Sequence, residues 1–130
     1  MVPIGALLVD ENEQCIAESY NQTIQLIDPT AHAEILALRI AALVRNNYRL
    51  PGTTLYCTLE PCIMCVGAMV QARIDRVVFA AYDQKAGALC SVWSMFNHPN
   101  INHHALVTAN VLAEESVTLL QNFFQTKRKR

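Results

Sequence analysis

His32, Glu34, Cys62 and Cys65 are the residues of this chain whose types and spacing can do chemistry together. His32-Ala33-Glu34 reads as the first turn of one helix, and Pro61-Cys62-Ile63-Met64-Cys65 as the first turn of another. Two cysteines three positions apart share a helical face and can chelate a single ion. A helix N-terminus favours thiolates, because its dipole and unpaired amides lower their pKa. Soft sulfur together with imidazole nitrogen selects zinc over magnesium or calcium. Structural zinc usually closes with four protein ligands, whereas three strong ligands leave a position for water. Zinc brings the pKa of such a water to about 7, which makes a hydroxide nucleophile available at neutral pH. Glu34 need not touch the metal: it can take a proton from the water and return it to the substrate, with burial tuning its pKa for both tasks.

Each part has a plainer explanation when taken singly. A histidine at a helix start is commonly a cap or a core residue, and a His-x-Glu pair alone means little. A Cys-x-x-Cys can be a redox pair or half of a four-cysteine structural site, but no second Cys-x-x-Cys exists here. The coincidence of both pairs, each at a helix start, reads as catalytic zinc.

The elements that must hold these groups follow from periodicity. Residues 4–9 and 14–20 read as two strands joined in a hairpin through the polar turn Asp10-Glu11-Asn12-Glu13. Asp28-Pro29-Thr30 supplies helix-start chemistry. Ile35, Leu36, Leu38, Ala42 and Leu43 then recur at helical spacing as far as Asn46-Asn47. Pro51-Gly52 breaks the chain before a β-branched and aromatic strand, 53–58. A second helix opens at Pro61 and runs to about Gln71. Residues 76–82 form a strand whose continuous apolarity predicts burial on both faces. Residues 83–104 are irregular, and a last helix spans about 110–125, with Leu112, Val117, Leu120 and Phe124 on one side. Helical crossovers between strands predict an α/β layered domain with helices on both faces of a mixed sheet. The first strand begins almost at residue 1, so a helix before it is expected in a complete protein.

Composition sets the frame. The 130 residues suit one domain, 1–130, and a hydrophobic share of 52% can build a core without staples. Charged residues, at 16%, are fewer than usual, a hint of surface buried against a partner. Five cysteines, an odd count, point to reduced thiols in the cytoplasm, with Cys15, Cys57 and Cys90 as buried small hydrophobes. No apolar run suits a membrane span, and Met1-Val2-Pro3-Ile4 does not open a secretion signal. The net charge of −1 hides an asymmetry: without Lys127, Arg128, Lys129 and Arg130, six positive charges face eleven negative ones. An acidic body with a basic end suits an anionic partner or a solubilising tail.

His-x-Glu followed by Pro-Cys-x-x-Cys is a signature of zinc nucleobase deaminases. Asp28 to Ile35, Asn47-Tyr48-Arg49-Leu50, Thr54 to Cys62, Gly67-Ala68-Met69, Arg76 to Asp83 and Asn97 to His103 closely resemble the bacterial tRNA-specific adenosine deaminases, of the cytidine deaminase-like superfamily. The resemblance spans nearly the whole chain. It implies a three-layer α/β/α fold around a central mixed five-stranded sheet. It also implies a homodimeric enzyme, with one zinc per subunit, that converts adenosine to inosine at the wobble position of a tRNA anticodon stem-loop. In such an enzyme zinc-activated hydroxide attacks C6 of adenine and ammonia leaves. By the same resemblance His32, Cys62 and Cys65 hold the zinc, Glu34 shuttles protons, and the Cys62 amide steadies the developing oxyanion. Asn21 and the backbone at Ala33 then meet the purine, and Asp83 meets the neighbouring ribose. Phe123 and Phe124, with Lys127 and Arg128, belong to a C-terminal helix that grips the anticodon loop.

Other readings stay open at this level. Asn21 can be a turn former and Asp83 a cap, and Phe123 and Phe124 can be core. Tyr20, Phe123 or Phe124 can stack on splayed bases. His98, His103 and His104 read as loop residues rather than a second metal site. The signature motifs do not separate an RNA deaminase from one acting on a free base or nucleoside of guanine or cytidine type. A non-catalytic zinc or RNA-binding subunit is the third possibility, and Glu34 argues against it. The chain departs from the family in lacking the usual first helix and in carrying Gln125 and Thr126 near its end. These differences bear on stability and RNA affinity rather than on the chemistry.

Overall fold

The computed structural model describes residues 5–109. The acidic turn after β1 (Gly5–Val9) reverses the chain into β2 (Cys15–Tyr20). Asp10 makes this turn, its Oδ1 accepting the amides of Asn12 at 2.8 Å and Gln14 at 2.9 Å. The two strands pair antiparallel, with an irregularity between Leu8 and Val9. On its other edge β1 pairs antiparallel with β3 (Thr54–Leu59), and β3 pairs parallel with β4 (Arg76–Ala81). A short strand, β5 (Leu106–Ala109), adds parallel to β4, giving a five-stranded mixed sheet ordered β2-β1-β3-β4-β5.

Two helices make the crossovers. Helix α1 (Ala33–Arg45) links β2 to β3, and α2 (Ile63–Ala72) links β3 to β4. Asn46 ends α1 in the left-handed region at φ 52°, and Arg73 ends α2 in the same way at φ 57°. Asparagine tolerates that conformation well, whereas a long side chain does so at some cost. Both helices lie on the same face of the sheet. One core cluster joins Leu8, Leu55 and Phe79 of the strands to Leu38 of α1 and Met69 of α2. Leu8, Leu55, Phe79 and Met69 are almost wholly buried, each worth roughly 1.5–3 kcal/mol over an exposed position. On the opposite face Leu7 and Val9 pack with Tyr56. The second helical layer was expected from the helix at about 110–125, which lies outside the described residues.

The continuous burial expected for the fourth strand is present, with Val77, Val78, Phe79 and Ala80 all buried. Three local expectations are corrected. Asp28-Pro29-Thr30 does not start α1: Asp28 Oδ1 accepts both the Thr30 amide at 2.9 Å and the Thr30 hydroxyl at 2.7 Å, which closes a turn of its own. The helix then begins after His32, whose backbone is extended at φ −70°, ψ 153°. The five strands implied by the resemblance are present, but periodicity did not locate β5: Leu106 is exposed and the other three residues are partly buried, so the segment carries no alternation. Cys57 is buried as expected, but Cys15 and Cys90 are exposed. Cys15 starts the edge strand β2, and Cys90 lies in the irregular segment after β4.

Candidate metal centre and active site

Parallel pairing of β3 and β4 requires the α2 crossover, which sets the α2 N-terminus just beyond the end of β3. The N-terminus of α1 comes to the same place. His32 is the N-cap of α1 and Cys62 the N-cap of α2, and neither side chain makes a capping hydrogen bond. Ser, Thr, Asp or Asn would usually stand at such positions and bond the helix amides. Here the two side chains turn toward one another instead. His32 Nδ1 lies 3.6 Å from Cys62 Sγ and 3.5 Å from Cys65 Sγ, and the two sulfurs are 3.6 Å apart.

These three distances test whether zinc fits. With Zn–S of about 2.3 Å and Zn–N of about 2.0–2.1 Å, tetrahedral edges come to about 3.8 Å for S···S and about 3.5 Å for S···N. The observed triangle matches both edges within a few tenths of an ångström. Among the described residues these three form the group able to hold a metal ion. His98, His103 and His104 do not add to it. Each bonds separate backbone: His98 Nδ1 accepts the Asn100 amide at 3.1 Å, while His103 and His104 donate to the carbonyls of Ile74 and Phe96 at 2.5 Å.

The local electrostatics agree with a cation site. Hydrogen bonding from the Cys65 thiol is the largest influence holding Cys62 down at about 5, against the upward pull of burial. Cys65 is pushed far up, first by that same hydrogen bond and then by burial. A divalent ion held by the triad would favour the thiolate form of both cysteines. Glu34, in the first turn of α1, is buried at 6% exposure. Burial lifts its carboxyl above the ordinary value, partly offset by hydrogen bonds including one from Cys65. Burial, followed by the charge of Glu34, likewise pushes up the Cys57 thiol on β3.

The remaining expected residues divide. Asn21 follows β2, its Oδ1 accepting the Thr23 amide at 3.0 Å. The Gln22 amide bonds the Ala31 carbonyl at 2.9 Å, which brings this turn beside His32. Ala33 is wholly buried at the first position of α1. Asp83 caps a turn beyond β4, its Oδ1 accepting the amides of Lys85 and Ala86 at 3.0 and 3.2 Å. Phe123, Phe124, Lys127 and Arg128 lie outside the described residues.

Sequence reasoning missed Glu60. It carries no sequence signal beyond its place in the stretch Thr54 to Cys62, yet it is buried at 2% exposure. Its carboxylate accepts the amides of Asp83, Leu89, Cys90 and Ser91 and the Ser91 hydroxyl. Burial pulls this carboxyl upward, but the Ser91, Cys90 and Asp83 hydrogen bonds outweigh it and leave Glu60 below the ordinary value. Only its position beside the motif Pro61-Cys62 hinted at a role.

Comparison with known proteins adds to this geometry. Residues 1–81 match the family model for the cytidine and deoxycytidylate deaminase zinc-binding region. The tRNA-specific adenosine deaminase of Haemophilus influenzae is 50% identical over 128 residues, covering 98% of this chain and 74% of that protein. The enzyme of the same name from Aquifex aeolicus is 44% identical over 127 residues, covering 98% of this chain and 83% of that protein. A solved structure from work on A-to-I editing by tRNA:A34 deaminases superposes with a TM-score of 0.81 and 43% identity, covering 89% of this chain and 83% of the other. With its zinc-fitting triad and this likeness along almost its full length, the chain belongs to the tRNA-specific adenosine deaminases, within the cytidine and deoxycytidylate deaminase zinc-binding family.

Proposed function

We propose that this chain hydrolyses the 6-amino group of adenosine to give inosine at the wobble position of a tRNA anticodon stem-loop. The observation that carries this reading is the His32, Cys62 and Cys65 triangle, of tetrahedral-edge size, with buried Glu34 next to it. When bound there, zinc supplies a coordinated water acidic enough to react near neutral pH. A Glu34 carboxylate oxygen would take a proton from that water and pass it to adenine N1 as the C6–O bond forms, then carry the proton of the resulting C6 hydroxyl to the amine as the C6–N bond breaks and ammonia leaves. A carboxyl raised by burial is suited to holding the proton between the two transfers. The Cys62 amide, at the positive end of α2, faces the oxygen that develops on C6.

Substrate contacts in this reading fall to residues around the triangle. The Asn21 Oδ1 is committed to Thr23, so its Nδ2 is the group that donates to the purine, beside the backbone of Ala33. The Asp83 Oδ1 is committed to its turn, which leaves Oδ2 for a ribose hydroxyl. Phe124, Lys127 and Arg128 grip the anticodon loop, the cations by neutralising its phosphates. An adenine in such a loop is already partly unstacked, so turning it outward costs about a few kcal/mol.

The active form in this proposal is a homodimer in the cytoplasm. Leu43 and Val44 stand exposed on α1 at 83% and 66%. A groove lined by Leu38, Ala42, Tyr48, Ala68 and Ala72 runs beside them, and such apolar area favours a protein partner. Among the described residues no helix is long and apolar enough to cross a membrane. Incubating the zinc-loaded protein with a wobble-A stem-loop and with free adenosine tests the reading. Inosine should form in the stem-loop much faster, and equal rates would transfer the activity to free nucleosides. Sedimentation of the same sample decides the dimer.

A further inference from the structure

The carboxylate of Glu60 sits two residues before the ligand Cys62 and is spent entirely on backbone and hydroxyl donors from one later segment. Its Oε1 accepts the Asp83 amide at 3.1 Å and the Ser91 hydroxyl at 2.5 Å. Its Oε2 accepts the amides of Leu89, Cys90 and Ser91 at 3.1, 2.7 and 2.9 Å. One side chain thus holds both ends of the 83–91 turn. The backbone completes the attachment: the Ala88 amide bonds the Pro61 carbonyl at 2.9 Å, and the Glu60 amide bonds the Ala81 carbonyl at 2.8 Å. A Cβ on Gly87 would stand 2.3 Å from the Glu60 carboxyl carbon, so the turn closes this tightly only around glycine.

A buried carboxylate is an expensive way to tie down a loop, since apolar packing of similar volume is often as stabilising. What it adds is direction, because a carboxylate accepts several hydrogen bonds at once and fixes the donors in space. The segment so fixed abuts Pro61-Cys62, and large exposed side chains flank it on both sides. Val92 and Trp93 are exposed at 46% and 55%, and both their amides bond the Gly87 carbonyl. Tyr82, at the entry to the turn, is exposed at 41%. Exposed aromatic rings beside a base-processing site are stacking surfaces for single-stranded RNA.

We propose that Glu60 is a positioning residue for the substrate: its carboxylate clamps the 83–91 turn against the Cys62 segment and so shapes the wall along which RNA enters. This rests on the deaminase reading above. The clamp itself can be measured without turnover, and the two can fail separately.

Glu60→Gln is the direct variant. Whichever oxygen becomes an amide nitrogen, at least two of the five hydrogen bonds to the carboxylate are lost, and at least one backbone amide then faces another donor. In the zinc-loaded protein, the amides of Asp83, Leu89, Cys90 and Ser91 should exchange with solvent about tenfold faster or more, with zinc content unchanged. KM for a wobble-A stem-loop should rise about fivefold or more, with kcat held within about threefold. Ser91→Ala removes one donor only and should shift KM the same way by a smaller factor. It serves as the deciding variant if Glu60→Gln does not fold. Unchanged exchange at those amides overturns the clamp. Faster exchange with unchanged KM, or a fall in kcat at constant KM, overturns the positioning role. A parent protein that makes no inosine overturns the deaminase reading, while the exchange result still decides the clamp.

Discussion

In the proposed mechanism Glu34 and the three candidate ligand side chains divide the work in a way that substitutions can separate. Glu34 is buried and its carboxyl is raised by that burial, yet it is not needed to close the metal triangle. Glu34→Gln keeps the size and the hydrogen-bonding capacity but cannot carry a proton. Turnover should fall by about 10²–10⁴-fold, the usual worth of a positioned acid–base group, while elemental analysis still finds one zinc per chain. Loss of zinc in this variant would instead make Glu34 part of the metal site. Both cysteines and His32 stood out in the sequence because few functions other than chelation place such residues at two helix starts. Glu60 did not stand out. A glutamate at a strand end usually faces water, and nothing local announces that residues 83–91 will return to surround it.

At the scale of the elements, the ligands are delivered by where the helices begin. The start of α1 depends on the turn that Asp28 closes through the Thr30 amide and hydroxyl. Those two bonds hold the Asp28 carboxyl below its ordinary value of 3.8 against an opposing pull of burial, with a lesser contribution from the charge of Arg39. A carboxyl depressed on folding contributes stability above its unfolded pKa and loses that contribution as pH falls through the lower folded value. Unfolding midpoints of the parent and of Asp28→Asn should therefore differ at neutral pH and converge as pH falls through and below the depressed carboxyl value. A constant difference across that range would mean that the ionised form is not what holds the turn. Helix and strand identities in this part of the chain followed from periodicity, but the start of α1 did not. Asp-Pro-Thr serves a turn and a helix cap equally well, and only the position of His32 against Cys62 selects the turn.

For the molecule as a whole, the metal centre joins parts of the chain that are far apart. His32 is separated from Cys62 by 30 residues and from Cys65 by 33, and the core cluster beneath them spans both helices and four strands. An ion bound only by the folded chain stabilises it by about 4 kcal/mol at a thousandfold excess over Kd. For a domain of this size, chelation should then lower the melting temperature by on the order of 10–20 °C. Restored zinc should recover the melting temperature in the parent but not in Cys62→Ser. Recovery in that variant would place the stabilising ion elsewhere.

Residue type and spacing alone pointed to a candidate donor set, to Glu34 as a candidate acid–base partner and to the alternation of strands and helices. These are local properties, carried by chemical identity and by periods of two and 3.6 residues. Tertiary structure decided that the triangle has the edges of a zinc tetrahedron and that both described helices share one face. It also decided that a four-residue parallel strand extends the sheet and that Glu60 gathers a distant turn. Each of these depends on pairings across tens of residues, where the chain's path, rather than any one side chain, sets which groups meet.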